Sequence, residues 1–379
     1  MCNMIDYLME HGDKTMQERP FAATDALVLS QLSYVNWSGI VTGRMDPERG
    51  ITLNEILRRG KQRQIARGSF YGAHNLSLVC LCAASRRFSD LKLYGYRDCC
   101  DGRENLQFAA LSFLLPGKKT CVVFRGTDES LNGWQENFSM VYRFPVPAQE
   151  YAASYLHQAA RISRGPVYVS GHSKGGNLAV YAAAYCGSHA QCKISRVYNF
   201  DGPGFWPEFF QTPRYKNIAD KVRKYVVPES FVGLLLEDEG KSFMVESTGH
   251  GMAQHDPFKW ELKECKLKKA SHYDLEKRQR GEALNKRILS IPKEDAKVVI
   301  DTFFDVARKR GIGRVTQLRP EDTIAVLKTF HDEKLYNRES VLVLGNLVFY
   351  FIGVPYVGKK SGKEQGNHQM PQQESCVES

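Results

Sequence analysis

Pro166-Val167-Tyr168-Val169-Ser170-Gly171-His172-Ser173-Lys174-Gly175-Gly176-Asn177-Leu178-Ala179-Val180-Tyr181-Ala182-Ala183 decides the fold. The β-branched and aromatic run from Pro166 to Ser170 reads as a buried strand. Leu178 to Cys186, rich in Ala and Leu, reads as a helix. Between them lies a G-x-S-x-G set, which puts Ser173 on a sharp turn. Glycines two residues to either side permit a strained backbone and let strand and helix approach closely. The serine oxygen is then exposed at the edge of a sheet, and the helix N-terminus aims backbone N–H groups at any negative charge formed there.

Upstream, Asp25–Tyr34 carries apolar residues at helical spacing, with Thr24 or Asp25 as its cap, and the first fifteen to twenty residues read as a loose polar lead-in. Strand-like runs follow at Leu76–Ala84, Leu91–Tyr96, Gln107–Leu115 and Thr120–Phe124, then a helix at Tyr151–Ile162. After the serine turn and its helix, Arg196–Phe200 and Val222–Val227 are further strands. Antiparallel strands early and strands alternating with helices later predict an α/β fold whose sheet has a mixed edge. Four segments are expected: a catalytic unit over 1–270, a charged and helical extension over 271–335, an apolar segment over 336–358 and a disordered tail over 359–379. The extension contains an amphipathic helix, Glu294–Arg308. Within the apolar segment, Val341–Val357 is about the minimum length for a membrane span. Asn346 and Pro355 count against a span, which leaves a packed or a membrane-contacting segment. Trp206–Tyr215, aromatic and Pro-punctuated, reads either as a lid or as a loop and helix packed on the core.

The chain has 379 residues, a formal net charge of +10 and ten cysteines. No C-x-x-C pair occurs, so neither a zinc site nor a thioredoxin-type motif is indicated. Reduced thiols and a cytoplasmic location are expected, and the N-terminus shows no basic region followed by an apolar run that would mark a secretory signal. Much of the positive charge lies between Lys259 and Arg287. Glu261, Glu264, Glu276 and Glu282 are interspersed there, as on a solvated helix face. No nucleic-acid motif accompanies the cluster, so no nucleic-acid partner is expected. Peripheral contact with an anionic membrane is the remaining role for it.

A serine needs a base and an oxyanion site to become a nucleophile. Val122-Val123-Phe124-Arg125-Gly126-Thr127-Asp128 supplies a second strand ending in a turn. Strand ends on one edge of a parallel sheet converge on a common crevice. There the N–H and hydroxyl of Thr127 would join the N–H of Lys174 around a tetrahedral oxyanion. The plainer alternative is a strand-end turn with Arg125 in a salt bridge. The base must be a histidine, because imidazole both takes and returns a proton near neutral pH. The chain order Ser, acid, His leaves His250 and His255 on a late loop. His172, next to the serine, fits a packing or hydrogen-bonding role beneath the turn, and His74, His157, His189 and His331 read as incidental. The acid should follow one of the two strands after the serine, which gives Asp201 and Glu229. No metal or organic cofactor is required.

F-R-G-T at 124–127, Gly133-Trp134 and Asn137-Phe138, taken with G-H-S-K-G-G, resemble the class 3 lipase branch of the α/β-hydrolases. A closer resemblance is to the bacterial Mbeg1-like family. It is carried by F-A-A-T-D-A-L-V-L-S-Q-L-S-Y (21–34), F-R-G-T-D-E-S-L-N-G-W-Q-E-N-F (124–138), Y-N-F-D-G-P-G-F (198–205) and V-V-P-E-S-F-V-G (226–233), and spans roughly residues 20–310. The resemblance implies an α/β-hydrolase fold with a mostly parallel central sheet and helices on both faces. It implies a serine hydrolase of carboxylic esters, lipase- or esterase-like, with a small-molecule or lipid ester as substrate. His255 is preferred as base because H-D-P-F-K-W resembles the family's catalytic-histidine segment. Glu229 is placed ahead of Asp201 because it stands where class 3 lipases have their aspartate. Lys174 departs from their usual Leu, and its cation would either attract anionic substrates or point to solvent. The rival from another class is a catalytically silent protein of the same fold, acting in membrane or partner binding.

Overall fold

The computed structural model describes residues 2–61, 64–65, 72–271 and 275–319, with 321–322, 325–326, 328–329, 340–345 and 347. Its strands are β1 Ile51–Thr52, β2 Lys92–Asp101, β3 Leu106–Leu115, β4 Lys119–Phe124, β5 Val167–His172, β6 Ile194–Phe200, β7 Val222–Val226 and β8 Ser242–Met244, joined in that order into one sheet. From β1 to β4 the neighbours are antiparallel, and from β4 to β8 they are parallel. Chain connections explain the change. A short Pro116-Gly117-Lys118 turn, with Gly117 at φ 73°, reverses the chain between β3 and β4. Parallel neighbours instead require a crossover.

The helices are α1 Met4–His11, α2 Ala23–Leu32, α3 Leu53–Arg58, α4 Gly72–Ala84, α5 Leu131–Ser139, α6 Pro147–Ile162, α7 Lys174–Tyr185, α8 Ser188–Lys193, α9 Pro207–Gln211, α10 Pro213–Lys216, α11 Leu275–Leu289 and α12 Lys293–Lys309. They cover both faces of the sheet, because strand side chains alternate between faces. Cys121 and Val123 of β4 join a core with α1, α2 and α4. Val122 and Phe124 join the opposite core with α6 and α7. Every residue of α7 from Lys174 to Ala184 is buried, and its glycines and alanines make room for that. The architecture is the α/β arrangement expected.

A third core lies beside the C-terminal ends of the parallel strands. Leu131 and Phe138 of α5 meet Phe231, Val232, Leu235 and Leu236, with Ile288 of α11 and Val299, Ile300, Phe303 and Phe304 of α12. Val343, Leu344 and Leu347 belong to the same core. Residues 336–339, 346 and 348–358 of the apolar segment lie outside the described residues, as do the tail 359–379 and His331. Among the described residues no helix is long and apolar enough to cross a membrane.

Two elements differ from the sequence reading. Leu76–Ala84 is not a strand but the body of α4, whose buried residues Asn75, Leu78, Val79, Cys82 and Ala83 follow a 3,1,3,1 spacing. A short apolar run does not by itself tell a buried strand from a buried helix. The lead-in is also ordered. α1 has a capping box in which Asn3 Oδ1 accepts from Asp6 N at 3.3 Å and Asp6 Oδ2 accepts from Asn3 N at 2.8 Å, and Met4, Tyr7 and Leu8 are buried. Trp206–Tyr215, left open between lid and packed helix, forms α9 and α10, with Phe209, Phe210 and Tyr215 in the second core.

The N-terminal elements are tied down by a buried charge pair. Arg87 and Asp25 have side chains with 0% exposure and an N–O separation of 2.6 Å. Arg87 Nη1 also donates to the carbonyls of Lys14, Thr15 and Arg19. Removing one partner leaves the other as an uncompensated buried charge. Asp25→Ala is therefore expected to lower the unfolding free energy by about 3–5 kcal/mol in a urea titration; a loss below about 1 kcal/mol would show that the pair is not structural.

Candidate active site

Ser173 sits between β5 and α7 at φ 58°, ψ −134°. An L-residue reaches that region only under strain, at a cost on the order of 1–3 kcal/mol. Surrounding glycines enforce it by close approach. A Cβ at Gly175 would lie 2.1 Å from the Phe124 carbonyl oxygen, and one at Gly171 would lie 2.1 Å from the Gly175 carbonyl oxygen. Ser173 N donates to Phe200 O at 2.9 Å, which fixes the turn to the end of β6. The Gly176 N–H closes the first turn of α7 onto Ser173 O at 2.8 Å, and the N–H groups of Lys174 and Gly175 before it are at the helix N-terminus, where an N–H has no intrahelical acceptor.

The turn after β4 comes up against this elbow. At Gly126 a Cβ would stand 3.0 Å from Ser173 Cβ and 2.2 Å from Tyr34 Oη, so only glycine fits. Thr127 follows directly, and its hydroxyl oxygen is buried with no hydrogen-bond partner among the described residues. Arg125 is engaged elsewhere, in a two-pronged contact with Asp98 at 2.9 Å through each terminal nitrogen.

His255 ends a 3₁₀ turn, Gly251–His255. Its Nδ1 lies 2.6 Å from Asp201 Oδ2; the Asp201 side chain is 0% exposed and that of His255 15%. Asp201 follows β6 at φ 52°, a left-handed conformation that Asp tolerates better than most residues. Its N–H donates to Tyr225 O at 2.7 Å. Gly233 leaves the room it needs, since a Cβ there would stand 2.2 Å from Asp201 Oδ1.

Glu229, placed first on resemblance, is not the carboxylate at the imidazole. Its Oε2 accepts from Gly251 N at 2.8 Å, and its backbone N–H donates to Gln254 Oε1 at 3.0 Å. It therefore braces both ends of the turn that carries His255. His250 precedes that turn as its N-terminal cap. Lys174 also differs from both options the sequence left for its side chain. The side chain is fully buried and ion-paired with Glu136 at 2.8 Å, so it neither meets solvent nor faces the substrate space.

Ser173, His255 and Thr127 line one cavity of about 300 Å³, together with Tyr34, Trp134, Asn137, His172, Val232, Met252, Ala253, Asp256 and Lys259. A larger cavity of about 410 Å³, between β2, β3 and α6, contains none of these residues.

Sequence reasoning did not assign Tyr34, and it gave His172 only a general role. The two form a relay behind His255. His172 Nε2 lies 2.9 Å from the His255 carbonyl oxygen, and Tyr34 Oη lies 3.0 Å from His172 Nδ1. A carbonyl only accepts, so Nε2 carries the proton and Nδ1 accepts from the tyrosine. The rings of His172 and His255 stand 4.5 Å apart. Tyr34 closes the quoted 21–34 stretch, but nothing in that stretch indicates what it touches.

A family model described as Mbeg1-like matches residues 82–305. Among solved structures, the native Rhizomucor miehei lipase propeptide complex is similar at 18% identity, over 59% of this chain and 67% of that one, with a TM-score of 0.36. M37 lipase is similar at 14% identity, over 56% and 69% of the two chains, also with a TM-score of 0.36. No curated protein matches the chain.

Burial, with His255 alongside, holds the His172 pKa well below its ordinary value. In the unfolded chain the same imidazole titrates at about 6.5, so below that pH the unfolded state binds a proton that the native state refuses. His172 therefore adds stability above pH 6.5 that is lost as pH falls. Thermal unfolding measured from pH 8 to pH 5 is expected to show a falling midpoint with a shallower slope in His172→Asn. An unchanged slope would mean that His172 is not held neutral.

Proposed function

The chain belongs to the Mbeg1-like family, and on that premise we propose that it is a serine hydrolase that cleaves carboxylic esters. The observation that carries the proposal is the 2.6 Å contact of His255 Nδ1 with the buried Asp201 carboxylate, in a cavity shared with a serine on a strained strand-to-helix turn. With Nδ1–H held by Asp201, the imidazole presents Nε2 as the basic nitrogen. Ser173 Oγ attacks the ester carbonyl, and His255 Nε2 takes its proton. Asp201 stabilises the imidazolium that results. The carbonyl oxygen becomes an oxyanion between the Lys174 N–H and the N–H and hydroxyl of Thr127; one such donor is typically worth about 2.7–4 kcal/mol of barrier. His255 then returns its proton to the departing alkoxide, and an acyl-enzyme remains on Ser173. Water, deprotonated by the same imidazole, releases the acid. The Thr127 hydroxyl, buried without a partner among the described residues, is suited to this role because it gives up no bond to them.

The cavity supports a compact acyl group. Its volume of about 300 Å³ lies at the lower end of small-molecule sites. Trp134, Val232, Met252 and Ala253 make much of its wall apolar.

Labelling with a fluorophosphonate probe tests the nucleophile. Native protein is expected to label, and Ser173→Ala and His255→Ala are expected not to. A folded native chain that does not label would sink the hydrolase reading in favour of a silent binding protein. The acid is tested by hydrolysis of p-nitrophenyl butyrate: Asp201→Asn should lose about 10³–10⁴-fold in kcat. Glu229→Gln, which keeps an acceptor for the Gly251 N–H, should lose less than about tenfold. A larger loss for Glu229→Gln than for Asp201→Asn would reassign the acid.

A further inference from the structure

Lys174 is buried more completely than a lysine ordinarily tolerates, and the mechanism above uses only its backbone. Its ammonium has three protons and three acceptors: Gln107 O at 2.7 Å, Gln107 Oε1 at 2.8 Å and Glu136 Oε2 at 2.8 Å. Glu136 is equally committed. Its Oε2 also accepts from Gln107 N at 3.0 Å, and its Oε1 accepts from Ala148 N at 2.8 Å. One network thus joins β3, α5, the start of α6 and the first residue of α7.

The position of Glu136 gives the network its meaning. It lies on α5, the helix that continues the Thr127 turn. The link between turn and helix is stiff: Asp128 Oδ1 accepts from Ser130 N at 2.9 Å, and Ser130 Oγ caps Gly133 N at 3.0 Å. The same helix carries Trp134 and Asn137 of the cavity wall. Gly133 leaves space for the network, since a Cβ there would stand 3.1 Å from Gln107 Oε1.

We infer that Lys174 is a positioning residue that locks the two halves of the oxyanion site together. Its N–H is one half, and its side chain, through Glu136, holds the helix to which the Thr127 half is attached. The inference rests on the hydrolase reading above. A buried ion pair is seldom the most stable filling for its space, since apolar residues of similar volume often serve stability as well or better. Directional bonds instead fix position, and a misplacement of about 1 Å at a reacting centre can cost on the order of 100-fold in rate.

The test uses the full-length chain and three variants, Lys174→Met, Lys174→Met/Glu136→Leu and Gln107→Leu. For each, p-nitrophenyl butyrate kinetics are expressed per fluorophosphonate-titrated site and thermal unfolding is followed. Lys174→Met strands the Glu136 carboxylate, so its midpoint should fall. The double variant should melt close to native, with kcat per site lowered by about 10- to 100-fold and KM within about twofold, the signature of an interaction needed in the transition state. Gln107→Leu removes one acceptor and keeps the ion pair; its kcat per site should fall by about 3- to 10-fold, which keeps the test decisive if the double variant does not fold. A merely structural pair would change the melting midpoint and the fraction of titratable sites, and leave kcat per site as in the native chain. That result would overturn the inference and leave the hydrolase reading standing. A native chain that neither labels nor turns over ester would overturn both.

Discussion

The elbow after β5 is packed so closely that its backbone leaves no space for side chains at the glycines around it. Adding a Cβ at Gly175 would bring it 2.1 Å from Phe124 O; at Gly176, 2.2 Å from Asn199 Oδ1; at Gly126, 3.0 Å from Ser173 Cβ. These contacts draw the ends of β4, β5 and β6 into one small region, from which Thr127, Ser173 and Asp201 emerge. They also hold Ser173 in a conformation it would not adopt alone. The strain is sustained because α7 is buried along its length and anchored on both sides. Remove the close approach and Ser173 and the Thr127 turn no longer line one cavity.

Charge placement follows from the same packing. Asp201 is withdrawn from solvent and faces one basic group, the imidazole of His255. Glu229, one strand further along the sheet, serves the turn that carries that histidine. The division of labour is geometric. The left-handed backbone at Asp201 turns its short side chain toward the histidine, while Glu229 is occupied with the Gly251 N–H. Behind His255, His172 and Tyr34 fix the loop by hydrogen bonds from an Nε2-protonated imidazole that burial keeps neutral. Two further buried pairs, Asp25–Arg87 and Glu136–Lys174, tie the N-terminal helices and the α5 and α7 helices respectively. Both of those pairs have additional hydrogen bonds, as low-dielectric burial demands, whereas Asp201 Oδ1 has no hydrogen-bond partner among the described residues.

Much of the scaffold was legible from local pattern. The strands over Gln107–Leu115, Thr120–Phe124, Arg196–Phe200 and Val222–Val227 have the short, β-branched or aromatic runs that a buried sheet requires, and β3, β4, β6 and β7 lie on them within a residue or two. α12 declares itself by a 3.6-residue apolar period. Several elements escaped the pattern, α4 and α1 among them. In α4 the apolar run is dense enough to hide the helical spacing of its buried residues. In α1 the capping box uses Asn and Asp in place of the commoner Ser or Thr and Glu.

By itself the sequence determined the setting of Ser173. A glycine-flanked serine between a β-branched run and an alanine-rich helix has few ways to fold, and the constraint acts over about a dozen residues. It determined, too, that a histidine near residue 255 and an acid after a later strand would be available. Which carboxylate meets the imidazole was decided only in three dimensions, because Asp201 and Glu229 lie 54 and 26 residues from His255 and both are plausible by order alone. The fate of Lys174 was decided there as well. No local pattern reveals that its side chain runs inward to a glutamate 38 residues away. Hydrogen bonds and ion pairs act over a few ångströms, so contacts between distant parts of the chain exist only once the sheet and its crossovers have brought them together.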